Sequence, residues 1–351
     1  MSHSLLSVVC LALSAVALRI QSSPNDLVAS NNIFAHNLSA TLYRDESTRH
    51  NIWISPLSIS SCFALIYAAT TGQTKQQIGN TMHFPLDIDK AELLETSFLL
   101  QSQIETTYDG PRLRRNEWDS KASVIKMVDR VYISDTLSVR PLYLSILNNT
   151  NDSASRLVPN FDFSAQNATE SINNWAHENT HGFIHDIIPE TMDISSWKLA
   201  ALNAIYFNGS FQHPFDATMT SVHKFYSNVH RQTLTTNVVH LMHQIGSFDY
   251  YENDEYQFVK FPFADDADLF VLLALPKTVE HGVIASTNMI HSVLEGVRTE
   301  YVALAVPRIS VEAWYDLQPI LQSMGMTAAF DATLAEFDGI SQAHDLYLSG
   351  A

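Results

Sequence analysis

The chain is poor in several residue types, and each shortage excludes something. It has 20 Lys and Arg against 37 Asp and Glu, for a net charge of −17. A surface of that sign repels nucleic acid and anionic lipid, so neither is expected as a partner. Arg112, Arg114 and Arg115 make the one basic cluster, and Glu117 and Asp119 follow at once, so this reads as a solvated loop. There are two cysteines, too few for a disulfide scaffold. No stretch is rich in Gly, Pro or Ser, and there is no block of like charge and no internal repeat. The 351 residues, 46% hydrophobic, therefore read as a single large domain of mixed helix and sheet. The nucleophile elbow G-x-S-x-G and the phosphate-cradling G-x-G-x-x-G do not occur. Asp265, Asp266 and Asp268 lack the Gly and terminal Glu of a calcium loop and read as a hairpin turn.

Residues 1–17 have the pattern of a secretion signal. Leu5–Leu18 is apolar, and Ala15-Val16-Ala17 is an A-x-A cleavage site. The run is shorter than the roughly 20 residues that a membrane span needs. Cys10 would leave with the signal, so Cys62 is expected as a lone buried thiol in a secreted, extracellular protein. Five N-x-[ST] sequons follow, at Asn37, Asn148, Asn151, Asn167 and Asn208. Each is a candidate glycan site in a secreted chain.

The chain is organised around Leu199–Phe215. From Leu199 to Phe207 Asn203 is the one polar interruption, and Asn208-Gly209-Ser210 stops the run. Its length predicts a strand buried on both faces rather than a helix. A buried amide without partners costs about 1–3 kcal/mol, so Asn203 is expected in a polar network inside a central sheet.

Elsewhere, helical spacing predicts Asp26–Tyr43, with Leu27, Phe34, Leu38 and Leu42 inward, then Pro56–Thr70, Lys90–Thr107, Asn167–Thr180, Ser286–Val297 and Leu317–Met324. Ser55-Pro56 is a cap followed by a first-turn proline. The helix it opens is apolar nearly all round, so Ser58, Ser60 and Ser61 must find partners inside the fold. Asp316 and Gly325 are expected to bound the last helix. Strands are predicted at Asn51–Ile54, Ser123–Ser134, Phe248–Tyr251, Tyr256–Phe261, Leu269–Leu275, Tyr301–Val306, Arg308–Val311 and Asp345–Ser349.

A set of motifs in order resembles the serpin family. They are Asn51-Ile52-Trp53-Ile54-Ser55-Pro56-Leu57-Ser58-Ile59; Asn203-Ala204-Ile205-Tyr206-Phe207-Asn208-Gly209 with His213-Pro214-Phe215; Val306-Pro307-Arg308-Ile309; Tyr315-Asp316-Leu317; Met324-Gly325-Met326-Thr327-Ala328-Ala329-Phe330-Asp331; and Ala335-Glu336-Phe337-Asp338-Gly339-Ile340-Ser341. The resemblance implies an α+β fold with three sheets and eight or nine helices, in a domain over residues 24–349. It implies a monomer without a cofactor that traps a serine protease by a suicide reaction, in which a cleaved loop enters the main sheet beside the strand carrying Asn203. It also implies that Ser55, Ser58 and Asn203 belong to the polar shutter where that sheet parts.

The sequence departs from the family pattern in two places. Phe211 stands at the breach, where the family usually has Trp, and the indole N–H is lost. The family pattern also continues past the strand at Leu346 into a small-residue hinge, a reactive loop and further strands, and Gly350-Ala351 does not continue the alternation. The shutter histidine expected downstream is missing as well. No scissile bond is therefore assigned, and residues 1–351 alone are expected to fold poorly and to form no covalent protease complex. The rival within the fold is a non-inhibitory carrier or chaperone. A remote alternative is a zinc hydrolase through His177, Glu178 and His181, which spell H-E-x-x-H, although Gly182 follows at once and Ile184 and Ile187 occupy the longer motif's positions.

Overall fold

The computed structural model describes residues 25–44, 51–85, 88–109, 123–148, 156–229, 233–264, 269–277, 287–311, 313, 315–342 and 346–349. The helices are α1 (Asn25–Arg44), α2 (Pro56–Ala68), α3 (Gly72–Met82), α4 (Lys90–Asp109), α5 (Pro141–Asn148), α6 (Ala168–Asn179), α7 (Thr287–Gly296) and α8 (Gln318–Ser323). The strands are β1 (Val124–Ser134), β2 (Leu157–Phe161), β3 (Leu199–Asn208), β4 (Ser221–Val229), β5 (Thr233–Glu252), β6 (Tyr256–Pro262), β7 (Phe270–Pro276) and β8 (Arg298–Pro307). None of the helices is long and apolar enough to cross a membrane, among the described residues.

The chain forms two compact units, neither of them continuous in sequence. That is why no linker can be found along it. One unit contains residues 56–208 and 316–351. Its sheet has three strands in the order β2-β1-β3, with β1 parallel to β2 and antiparallel to β3. Behind it, α6 turns Ile172, Trp175 and Ala176 inward. These meet two apolar clusters, one with Tyr132, Phe163, Ile188, Ile194 and Ala200, the other with Ala204. The other unit contains residues 35–55 and 209–315. Its five-stranded sheet runs β4-β5-β6-β7, with β8 also on β5. Tyr256, Phe258, Phe270 and Leu272 of this sheet pack under Val293 of α7.

Among the described residues there are two sheets rather than three. The reason is β5. It carries β4 along its first half and β8 along its second, so the two groups of strands share one ladder. The expected strand at Asn51–Ile54 does not form. Trp53 N–H donates instead to the Tyr315 hydroxyl at 2.9 Å, and that hydroxyl donates to Asn51 O at 3.3 Å. Arg308–Val311 is not a strand either. After Pro307 closes β8, Arg308 N–H donates to His240 O at 2.8 Å. Residues 346–349 are irregular, with Leu348 N–H donating to Ala329 O at 2.8 Å. The helix starting at Gln318 takes Leu317 as its cap residue, while Asp316 Oδ1 accepts from Gln318 N–H. Gly325 follows at φ +109°, a conformation that favours glycine. Residues 1–24 with the expected signal and Cys10, the arginine cluster, the aspartate cluster 265–268, Asn151, Gly350 and Ala351 lie outside the described residues.

Candidate functional site

β3 is the strand predicted at Leu199–Phe207, but it is not buried on both faces. Only Ala200 and Ala204 are fully buried. The physical reason is its place at the margin of the sheet. It pairs with β1 from Leu199↔Ile133 to Asn208↔Val124, and among the described residues no strand bonds to its other side. A strand in that position presents a row of free backbone donors and acceptors, which is a template for one more strand.

A chain of polar side chains ties this strand to the elements around it. On α2, the Ser58 hydroxyl donates to Asn203 Oδ1. The amide of Asn203 then donates from Nδ2 to Asp129 Oδ1 at 2.7 Å, directly across the β1–β3 ladder. So the one amide in the apolar run has a partner on each of its two ends. One turn along α2 from Ser58, the Cys62 thiol donates to Ala201 O at 3.2 Å. Burial, and after it the nearby Asp129, pushes that thiol up to about 12. The helix is less enclosed than its composition suggests. Its first turn, with Ser58, is half-buried, and full burial begins at Ser60 and Ser61. Ser55 is exposed at the entry to α2.

Asp129 was not legible as part of this site. It is 3% exposed, and burial pushes its carboxyl above the usual carboxylate range, against the pull of Asn203, Gln101 and Arg156. A signal was available. In the alternation of β1, Ile125, Met127, Asp129 and Val131 all point inward. An acid in phase with buried apolar residues calls for explanation.

Phe211 belongs to the other unit. Its backbone bridges to Phe263, and its ring stacks on Phe263 at 4.9 Å and meets Phe261 edge-on at 4.5 Å. Among the sequon residues, Asn167 and Asn208 are exposed and Asn37 is half-buried on α1, while Asn148 ends α5.

The H-E-x-x-H residues do not share a helix face. α6 ends at Asn179, and His181 and Gly182 then take left-handed conformations at φ +52° and +83°. The His181 ring turns to Tyr206 at 4.6 Å, while the His177 ring lies 5.1 Å from that of His185. No group of three or more His, Cys, Asp or Glu with metal-binding geometry occurs among the described residues.

The family model described as "Serpin (serine protease inhibitor)" matches residues 29–351, and the chain belongs to that family. Its relatives include an uncharacterized serpin-like protein of Methanosarcina acetivorans, 29% identical over 90% of this chain and 71% of that one. Human plasminogen activator inhibitor 2 is 25% identical over 92% of this chain and 84% of that one. Among solved structures, reactive loop cleaved human thyroxine binding globulin superposes with a TM-score of 0.77 at 22% identity, covering 94% of this chain and 92% of that one. The α+β fold is that of the serpins.

Proposed function

We propose that this protein is a secreted inhibitor of serine endopeptidases that works by strand insertion at the free edge of β3. The observation that carries the reading is that edge, held by the Ser58–Asn203–Asp129 chain of hydrogen bonds. In this reading Ser58 and Asn203 belong to the shutter. No scissile bond is assigned within residues 1–351. The protease serine attacks the scissile carbonyl, the peptide bond breaks, the new amine leaves, and an ester joins the two proteins. The cleaved segment adds to β3 as a strand. The main-chain hydrogen bonds gained there drive the movement that distorts the protease before water can cleave the ester.

Membership of an inhibitor family and the named inhibitor among the relatives support this reading. The test incubates protein carrying a reactive loop with trypsin-, chymotrypsin- and elastase-like proteases. The expected result is an adduct that survives SDS and fails to form when the protease serine is replaced by alanine. Cleavage of the loop by all three with no adduct would place the protein among carriers or chaperones instead.

A further inference from the structure

At the far end of the Asn203 link sits a group that can change charge. Asp129 Oδ1 accepts from Asn203, whereas Asp129 Oδ2 has no hydrogen-bond partner among the described residues. Gln101, on α4, is 1% exposed. It reaches toward this carboxyl, yet neither of its amide atoms closes a hydrogen bond among the described residues. Its position is fixed by the same helix that buries Leu94, Phe98 and Ile104.

The groups facing Asp129 come from every element packed around it. From β3 comes Asn203, neutral; from α4, Gln101, neutral; from α2, the Cys62 thiol, which burial keeps protonated. Among the described residues the cation acting on it is Arg156, just before β2, and its guanidinium is engaged over the Phe98 ring at 4.0 Å. An ionised Asp129 is thus a buried charge supported by neutral donors and one shared cation. A protonated Asp129 has an O–H that the carbonyl of Gln101 can accept after a simple amide rotation. The closed sheet therefore favours the proton, and parting β3 from β1 lets water solvate the charge.

We propose that Asp129 is a positioning residue for Asn203 whose protonation state sets how firmly β3 is held to β1, so that β3 adjusts to an incoming strand more readily once the carboxyl ionises. This rests on the reading of that edge as the insertion site. The sign follows from proton binding. The native state holds the proton to higher pH than the unfolded chain does. The stability that the proton confers is complete below the ordinary carboxylate range and is lost as pH rises through the raised native value.

The test compares wild type with Asp129→Asn, which keeps the shape and removes the titration. Denaturant stability is measured from pH 5 to 8, along with the rate at which a labelled extended peptide binds the β3 edge. The folding constant of the variant relative to wild type should climb with pH, approaching tenfold per unit where the one proton is lost. The pH dependence of peptide binding should flatten in the variant. Should the variant fail to fold, wild type alone suffices, since unfolding it in weak buffer above pH 5 should release one more proton than its exposed carboxyls supply. Parallel pH profiles for the two proteins, or no such proton release, would overturn the inference. If the stability difference follows pH but no peptide binds either protein at any pH, the insertion reading fails while the titration of Asp129 stands.

Discussion

Ser58 and Asn203, 145 residues apart in sequence, meet through a hydrogen bond that fastens α2 to β3. Because Asn203 also donates to Asp129, it is the middle of the chain and has no redundant partner. Asn203→Ala should destabilise the protein by about 2–4 kcal/mol, since it removes the hydrogen bond to the buried Asp129 carboxyl and the one from Ser58. Ser58→Ala should cost about 1 kcal/mol. In a double-mutant cycle followed by urea unfolding the two losses should be strongly non-additive. Additive losses would mean that the link carries no energy.

A second prediction concerns the start of α3. Glu336 accepts from Gln73 N–H and Thr74 N–H, and its own N–H donates to Thr74 Oγ1 at 3.0 Å. A carboxylate at a helix N-terminus satisfies orphan donors and complements the dipole. A Cβ on Gly72, which sits at φ +49°, would fall 2.2 Å from the Glu336 carboxylate. Glu336→Ala and Gly72→Ala should therefore each cost about 1–2 kcal/mol, and the pair should cost less than their sum. Thermal unfolding of the three variants checks this.

The Cys62 thiol gives a prediction with a pH sign. Burial lifts it from an ordinary 9.0 to about 12, so it stays protonated at any pH where a thiol reagent is normally used. Native protein at pH 8 should react with a disulfide reagent more slowly than unfolded protein, because the half-buried thiol stays protonated. The native state also holds this proton to higher pH than the unfolded chain does, so stability should fall as pH rises above about 9 and be indifferent to Cys62 below it. A Cys62→Ser variant should lose that alkaline dependence.

The proposal of secretion makes its own demand. Asn167 and Asn208 are exposed, so expression through a eukaryotic secretory pathway should place glycans there. Endoglycosidase treatment should sharpen the gel band, and Asn167→Gln and Asn208→Gln should each remove one step of that shift. An intracellular, unmodified product would count against the proposal.

What was legible in the sequence follows from how strongly each element declares itself locally. β3 shows as an apolar run broken by one amide, and α2 as Ser-Pro before an apolar helix. Both formed, and the amide found partners as expected. α3 was not legible because Gln-Thr-Lys-Gln-Gln has no apolar period. It is held from far along the chain, where Gln77 Oε1 accepts from Thr327 and Ala328 N–H at 2.9 and 2.7 Å. β4 and the first half of β5 are rich in Ser, Thr, His and Asn and were missed for the same reason. The edge position of β3 could not be read from composition, because an apolar run looks the same with a strand on one side or on both. Gln101 and Asp129 are polar residues in otherwise apolar phases. Asp129 declared itself by standing in phase with Ile125, Met127 and Val131 along β1, whereas Gln101 is revealed only by its burial.

The central claim is that β3 is held ready for one more strand, and amide hydrogen exchange across Leu199–Asn208 tests it most directly. Alternate N–H groups of this strand point toward β1 and away from it. Without peptide, those facing β1 should be protected and those facing away should exchange fast. With a saturating extended peptide of small residues, the second set should become protected while β1 is unchanged, and the melting temperature should rise, by about 2.7 kcal/mol of stability at 100 times Kd. If the outward amides stay unprotected and the melting temperature does not move at peptide excess, β3 does not accept a strand and the inhibitor reading is contradicted.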